Sequence, residues 1–244
     1  LPEEPAAVET DLTLSDNHEV LEARADRRIA VLDNGLIVIA QRLPAAPVVS
    51  VQLWCESGSI YEQTHAGSGI SHYLEHLLSG GSTETRSEAQ INRILGRIGA
   101  RTNAATSLDT VRYYINTTRE HLDVALALMT DGIRRNRLAP EEVQREQEVI
   151  RREFSMGEGD PDRLFWRHTQ QARYRAHPAR HPTIGYFDEF LELDREALFE
   201  FYQRFYAPNN LVVSVAGDID PAKVVGKVTG LWEDAPRRDL PGIA

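Results

Sequence analysis

Residues 72–76 read His72-Tyr73-Leu74-Glu75-His76, and no other stretch of the 244-residue chain constrains its chemistry so tightly. On a helix, two imidazoles four residues apart project from the same face one turn above each other. That spacing lets both reach one tetrahedral Zn²⁺. Glu75 stands beside them. A carboxylate next to such a metal can take the proton of a water whose pKa the metal has lowered to about 7, so the trio has the parts of a hydrolytic site at neutral pH.

A five-residue pattern of this kind arises by chance in roughly one chain of this length in a hundred, so its setting matters. Ile70, Tyr73, Leu74, Leu77 and Leu78 make an apolar stripe at helical spacing. Gly67-Ser68-Gly69 precedes the segment and Ser79-Gly80-Gly81 follows it, which predicts a short, buried, punctuated helix. Two histidines and a glutamate in such a helix need partners, because unpaired buried polar groups cost several kcal/mol. A metal supplies them.

Zinc needs a third protein ligand, and a later segment narrows the choice. Residues 139–157 open with Ala139-Pro140-Glu141-Glu142, a proline and acids where a helix start favours them. Val143, Val149, Ile150 and Phe154 define one face of that helix. At 100° per residue from Val143, Glu146 falls at about 300° and Glu153 at about 280°, inside the arc bounded by Val149 and Ile150. Glu141 and Glu148 fall on the solvent side, and Glu142 lies in the first turn, where capping or the helix dipole accounts for it. Two carboxylates on one apolar face are costly unless a cation meets them. The reading assigns Glu146 as the third ligand and Glu153 as a nearby site carboxylate.

The elements around these residues form an α+β pattern. Residues 1–24 read as an extended, acidic N-terminal arm. Strands are expected at Arg28–Leu32 and Leu36–Arg42 around Asp33-Asn34-Gly35, where Asn-Gly predicts a type I′ turn, and at Val48–Glu56. After the histidine helix come a helix at Ser87–Ile98 capped by Ser87, and a hairpin of Arg101–Thr106 with Val111–Thr117. Helices follow at about 119–134, 139–157, 161–175 and 195–205, then a strand at Leu211–Ala216 and a helix near 221–232. The pattern predicts one domain over residues 25–235, a mainly antiparallel or mixed sheet with helices packed on one face, and a linker or tail at 236–244. His177 and His181 are also four apart, but Pro178 and Pro182 make them loop residues rather than a second metal site.

Composition bounds the class. With 41% hydrophobic residues the chain suffices for one sizeable core, and no apolar run of 18 residues is present to span a membrane. A net charge of −10 argues against nucleic acid as partner and fits either a site that admits basic or neutral peptides or a plain solubility role. The single cysteine, Cys55, excludes an internal disulfide and reads as a core strand residue. Leu1 is not an initiator methionine, so a removed export signal and a trimmed start both fit, and the compartment stays open.

H-x-x-E-H is the inverzincin signature. With it, in order, come Ser57-Gly58-Ser59-Ile60-Tyr61-Glu62, Gly99-Ala100-Arg101-Thr102-Asn103-Ala104-Ala105-Thr106-Ser107, Arg145-Glu146-Gln147-Glu148-Val149-Ile150-Arg151-Arg152-Glu153, His181-Pro182-Thr183-Ile184-Gly185 and Tyr206-Ala207-Pro208-Asn209-Asn210. From about residue 28 to 232 the chain resembles the N-terminal, catalytic half of M16-family zinc metallopeptidases, the group of pitrilysin, insulin-degrading enzyme and the mitochondrial processing peptidase. The resemblance implies a zinc endopeptidase acting on peptides or unfolded polypeptides. His72, His76 and Glu146 would bind zinc, Glu75 would be the general base, and Glu153, seven residues past the ligand, would also act at the site. The interval from His76 to Glu146 looks a few residues shorter than in better-known members, which a trimmed loop would explain. Asn103 and Ala104 would lie on an edge strand to which substrate adds. The partner would be a second M16-like half, in the same or a separate chain, or a second copy.

Two other classes compete. A non-catalytic partner of such a peptidase typically loses the motif, which is intact here. An S-ribosylhomocysteine lyase shares H-x-x-E-H but needs a cysteine in its site, and Cys55 sits on a core strand ahead of the motif.

Overall fold

A computed structural model describes residues 12–240. The chain begins with strands β1 (His18–Ala23), β2 (Arg27–Leu32), β3 (Ile37–Arg42) and β4 (Val48–Cys55), followed by helices α1 (Ile70–Gly80) and α2 (Glu88–Arg97). Strands β5 (Arg101–Thr106) and β6 (Val111–Thr118) come next. Helices α3 (Leu122–Arg134), α4 (Pro140–Glu158), α5 (Pro161–Arg173), α6 (Phe187–Leu191) and α7 (Arg195–Phe205) lead to β7 (Leu211–Gly217) and α8 (Pro221–Trp232). No helix among the described residues is long and apolar enough to cross a membrane.

The strands form one mixed sheet in the order β1-β2-β3-β7-β4-β6-β5. Every pairing is antiparallel except β3 with β7, which returns from late in the chain to lie between β3 and β4. Period-two patterning sets its faces. Val49, Val51, Leu53 and Cys55 of β4 and Leu211, Val213 and Val215 of β7 are buried, while Ser50, Gln52 and Trp54 turn the other way. Helices α1, α3 and α8 pack on the sheet, giving the expected mainly antiparallel sheet with helices on one face. On the other face the Arg112 guanidinium lies 5.2 Å from the ring centre of Trp54 and 5.8 Å from that of Tyr114.

Three expectations change. Residues 18–23, expected in an extended arm, form β1 and pair with β2 from His18↔Leu32 to Ala23↔Arg28. Val20 and Leu21 are both exposed, so no buried periodicity announces this strand; backbone hydrogen bonding along the edge of β2 makes it. Residues 1–11 of the expected arm, and 241–244 of the expected tail, lie outside the described residues. Within that tail Arg238 is anchored, its N–H donating to Asn209 Oδ1 at 3.0 Å and its carbonyl accepting from Asn209 Nδ2 at 2.9 Å. The β2–β3 connection is not type I′, because Gly35 (φ 92°) has a positive φ and Asn34 does not. Asn34 instead donates from Nδ2 to the carbonyls of Trp232 and Ala235, at 2.7 and 3.0 Å, tying the turn to the end of α8.

The start of α1 is held on three sides. Gly69, its N-cap, has φ 73°, and a Cβ there would lie 2.2 Å from the Ile184 carbonyl oxygen. A Cβ on Gly185 (φ 87°) would lie 2.5 Å from the Ser68 carbonyl carbon, and the Tyr186 N–H donates to the Gly67 carbonyl at 2.7 Å. The buried Glu62 carboxylate accepts from the N–H groups of Gly67 and Ser71, each at 3.2 Å, satisfying donors at the helix start. Burial pushes that carboxyl up to about 8, while the backbone donors pull it back.

The far end of α1 is tied to α4. Glu142, expected to serve only the first turn of its own helix, accepts from the Ser82 N–H at 3.0 Å, and Asn136 donates to the Leu77 carbonyl at 3.1 Å. Tyr73 donates its hydroxyl to the Val143 carbonyl at 2.6 Å. α1 therefore lies at a fixed register on α4.

A methyl group at position 69 would meet both a strained φ and a backbone oxygen. Gly69→Ala should destabilise the fold by about 2 kcal/mol or more, read as a lower urea midpoint at constant slope. An unchanged midpoint would show that the 182–186 loop does not fix α1.

Candidate metal centre

The register of α1 on α4 brings four side chains together. His72 Nε2 and His76 Nε2 lie 3.3 Å apart. The Glu153 carboxylate spans them, Oε2 at 3.5 Å from His72 Nε2 and Oε1 at 3.6 Å from His76 Nε2. One donor atom from each of His72, His76 and Glu153 lies within 4.8 Å of the others, a separation that one ion can bridge. Glu146 sits elsewhere: its Oε2 is 3.3 Å from His76 Nδ1, on the opposite edge of that ring. The structure thus brings both predicted glutamates to the histidines, but in places opposite to those expected from the sequence. Glu153 shares the Nε2 side, and Glu146 holds the outer nitrogen.

Helical phase put both acids on one face and could not separate them. They are seven residues, about two turns, apart on α4, and which one meets the Nε2 atoms depends on how far α4 is shifted along α1. Tyr73–Val143 and Ser82–Glu142 set that shift. A proton on Nδ1 of His76 points to Glu146 and leaves the Nε2 lone pair free for a metal.

The electrostatics fit a cation. Burial, and then the charge of His76, push the His72 pKa down to about 3, keeping its imidazole neutral. Burial opposes charging of His76 as well, but the Glu146 hydrogen bond and the charges of Glu153, Glu75 and Glu146 outweigh it and raise its pKa. The His76 hydrogen bond holds Glu146 below the usual carboxylate range. Among the described residues His72 Nδ1, buried, has no hydrogen-bond partner, while its Nε2 faces the cluster. Three carboxylates converge here, an arrangement that a divalent ion would balance.

Glu75 is 9% exposed and accepts from Thr106 Oγ1 at 2.7 Å. Burial raises its pKa, Thr106 opposes the rise, and the charge of Glu153 adds to it. Thr106 ends β5, the sheet's edge strand, so one hydroxyl links the carboxylate to the strand that carries Asn103 and Ala104. Asn103 is exposed, Ala104 is half-buried, and Asn103 Oδ1 accepts from the Ala104 N–H at 3.0 Å. Sequence reasoning gave Thr106 no role. The only available signal was a hydroxyl residue among small side chains, three positions past Asn103.

Other side chains behave as ordinary structure. Cys55 is buried, its thiol is pushed up to about 12 by burial, and it donates to the Phe205 carbonyl at 3.4 Å. His177 and His181 flank a 3-10 turn, where His177 Nδ1 accepts from the Ala179 N–H at 3.1 Å and His181 meets Tyr186 edge to face.

The family model described as Insulinase (Peptidase family M16) matches residues 37–186, and that described as Peptidase M16 inactive domain matches residues 192–242. A relative from Rickettsia felis, named an uncharacterized zinc protease, is 32% identical over 84% of this chain and 49% of its own. The uncharacterized zinc protease YmxG of Bacillus subtilis is 31% identical over 82% of this chain and 49% of its own. A crystal structure of a protease from Helicobacter pylori superposes with a TM-score of 0.82 at 28% identity, covering 91% of this chain and 53% of that one. The chain thus spans about half the length of the curated relatives it matches. Family model, relatives and fold agree: the chain belongs to the insulinase family of peptidases, M16.

Proposed function

We propose that the chain is the zinc-binding half of a metalloendopeptidase that hydrolyses peptides or unfolded polypeptides. The observation that carries the reading is the convergence of His72 Nε2, His76 Nε2 and the Glu153 carboxylate, with Glu75 beside them. His72, His76 and Glu153 would hold the ion, and Glu146 would orient His76 through Nδ1. Taking Glu153 as the ligand lengthens its interval from His76 by seven residues, so no trimmed loop is needed. Bound Zn²⁺ supplies Lewis acidity, polarising a peptide carbonyl and making water acidic enough to give up its proton near neutral pH.

The chain's own residues supply the rest. Glu75, buried and fixed by Thr106, is positioned to take a proton from attacking water and return it to the leaving amine. The free edge of β5 offers backbone groups to an extended substrate at Asn103 and Ala104, so recognition rests largely on main chain. The matched region makes up about half of each relative, room for a second, similar half to close over the substrate. Met156, Phe165 and Trp166 stay exposed at the α4–α5 corner, apolar surface available to that half or to a second copy. The lyase reading finds no support in Cys55, which is buried and bonded inside the core.

Pure protein should carry about one zinc per chain at neutral pH, and His76→Ala should lose it. Glu153→Gln should lose it too, while Glu146→Gln keeps a site weakened roughly 10–100-fold. Full occupancy in Glu153→Gln with loss in Glu146→Gln would return the ligand role to Glu146.

Glu75→Gln preserves shape but cannot accept the proton. It should retain zinc while turnover falls by roughly 10² or more, and near-normal turnover would move the base elsewhere.

Residues 1–244 alone should cleave peptides weakly, because one wall neither positions nor desolvates the substrate, and supplying the remaining half should restore activity. Robust hydrolysis by a monomeric sample of residues 1–244 would show that the second half is dispensable.

A further inference from the structure

A cavity of about 150 Å³ opens directly beside the metal centre. Glu153 and Phe154 of α4, Leu164 and Arg167 of α5, Ile184 of the following loop and Phe187 at the start of α6 line it. Because Glu153 belongs to both places, a group in the cavity would lie one side chain away from the two imidazoles. The loop wall is not free to drift, since Gly185 is packed against Ser68 and Tyr186 is bonded to Gly67 at the start of α1.

Its lining holds two arginines, Arg163 and Arg167, against one carboxylate, Glu153. The chain carries a net charge of −10, and the centre next door gathers Glu75, Glu146 and Glu153. From Arg163 to Phe187, however, the sequence has five arginines (163, 167, 173, 175 and 180) and no carboxylate. Arg163, also at the cavity, is engaged with Asp160 at 3.5 Å. Arg167 is half-buried, and no ion pair to it is found among the described residues. A guanidinium in an apolar-walled recess is a strong receptor for a carboxylate, which it can bind through two parallel hydrogen bonds. The apolar walls suit the aliphatic stem of such a side chain.

We propose that this cavity is a substrate subsite for an acidic side chain, Glu or Asp, adjacent to the bond that is cut, with Arg167 reading its carboxylate. The inference rests on the peptidase reading and names its substrate class. It reverses the expectation drawn from net charge, because the field a side chain meets is set by the recess around it rather than by the whole surface.

The test uses the whole zinc-loaded protein and peptides differing only by Glu, Gln or Lys at each position flanking the scissile bond. At one position Glu should exceed Lys by about tenfold in kcat/KM, the size of one charge-assisted contact. Arg167→Glu should invert that ratio, and Arg167→Gln should bring it close to one. The ratio, not the absolute rate, carries the result, and far-UV circular dichroism checks that each variant is folded. A wild-type protein indifferent to Glu and Lys, or a ratio unchanged in Arg167→Glu, would overturn the assignment. The same peptides are titrated by fluorescence anisotropy against Glu75→Gln, where binding is read without hydrolysis. If no peptide is cleaved but Glu peptides still bind more tightly in an Arg167-dependent way, the peptidase reading fails and the subsite stands.

Discussion

The seam between α1 and α4 is the interaction on which the rest depends. Two imidazoles on one helix face two carboxylates on the other, and neither set would be stable in a half-buried position alone. The arrangement persists because the surrounding structure leaves α1 little freedom. Glu62 and the Gly67–Gly69 and Gly185 contacts hold its start, while Tyr73, Asn136 and Glu142 hold its length and end. The sheet provides the floor, and β5 adds a further constraint by holding Glu75 through Thr106. Fold stability and site geometry therefore share the same hydrogen bonds.

What the sequence made legible divides along physical lines. Strands β4, β6 and β7 were readable because one face of each is buried and alternation records it. Ser87 marked its helix because local chemistry alone decides a cap, and the structure shows the full capping box with Gln90. β1 was hidden because its side chains are mostly exposed and only its backbone is engaged. The Asn34-Gly35 turn was misread because Asn34 is claimed by carbonyls 198 and 201 residues away, which no local rule can see.

The site follows the same division. His72, Glu75 and His76 were legible as a motif because a helix fixes their relative directions, and the inward phase of Glu146 and Glu153 was legible for the same reason. The placement of those two glutamates around His76 was not, since it depends on the shift between two helices that meet only in the tertiary fold. The arginine-lined cavity was hidden more deeply, being shared by three segments and opposite in sign to the chain's average. Charge summed over a sequence describes a surface; a recess can carry the opposite sign.

The position of β7 has a temporal consequence. This strand occupies the middle of the sheet, parallel to β3 and antiparallel to β4, yet it is made after every other strand. During synthesis, β3 and β4 have no partner for the edges that β7 will fill until residues 211–217 leave the ribosome. The β1–β2–β3 meander and the β4–β6–β5 unit can each form as local structures, but their joining waits for one late segment. Pairing of such long sequence separation closes a large loop and is intrinsically slow. Until then both edges stand unpaired and open to other chains, so the interval between the first strand and the last is the one in which edge-to-edge misassociation is least guarded against.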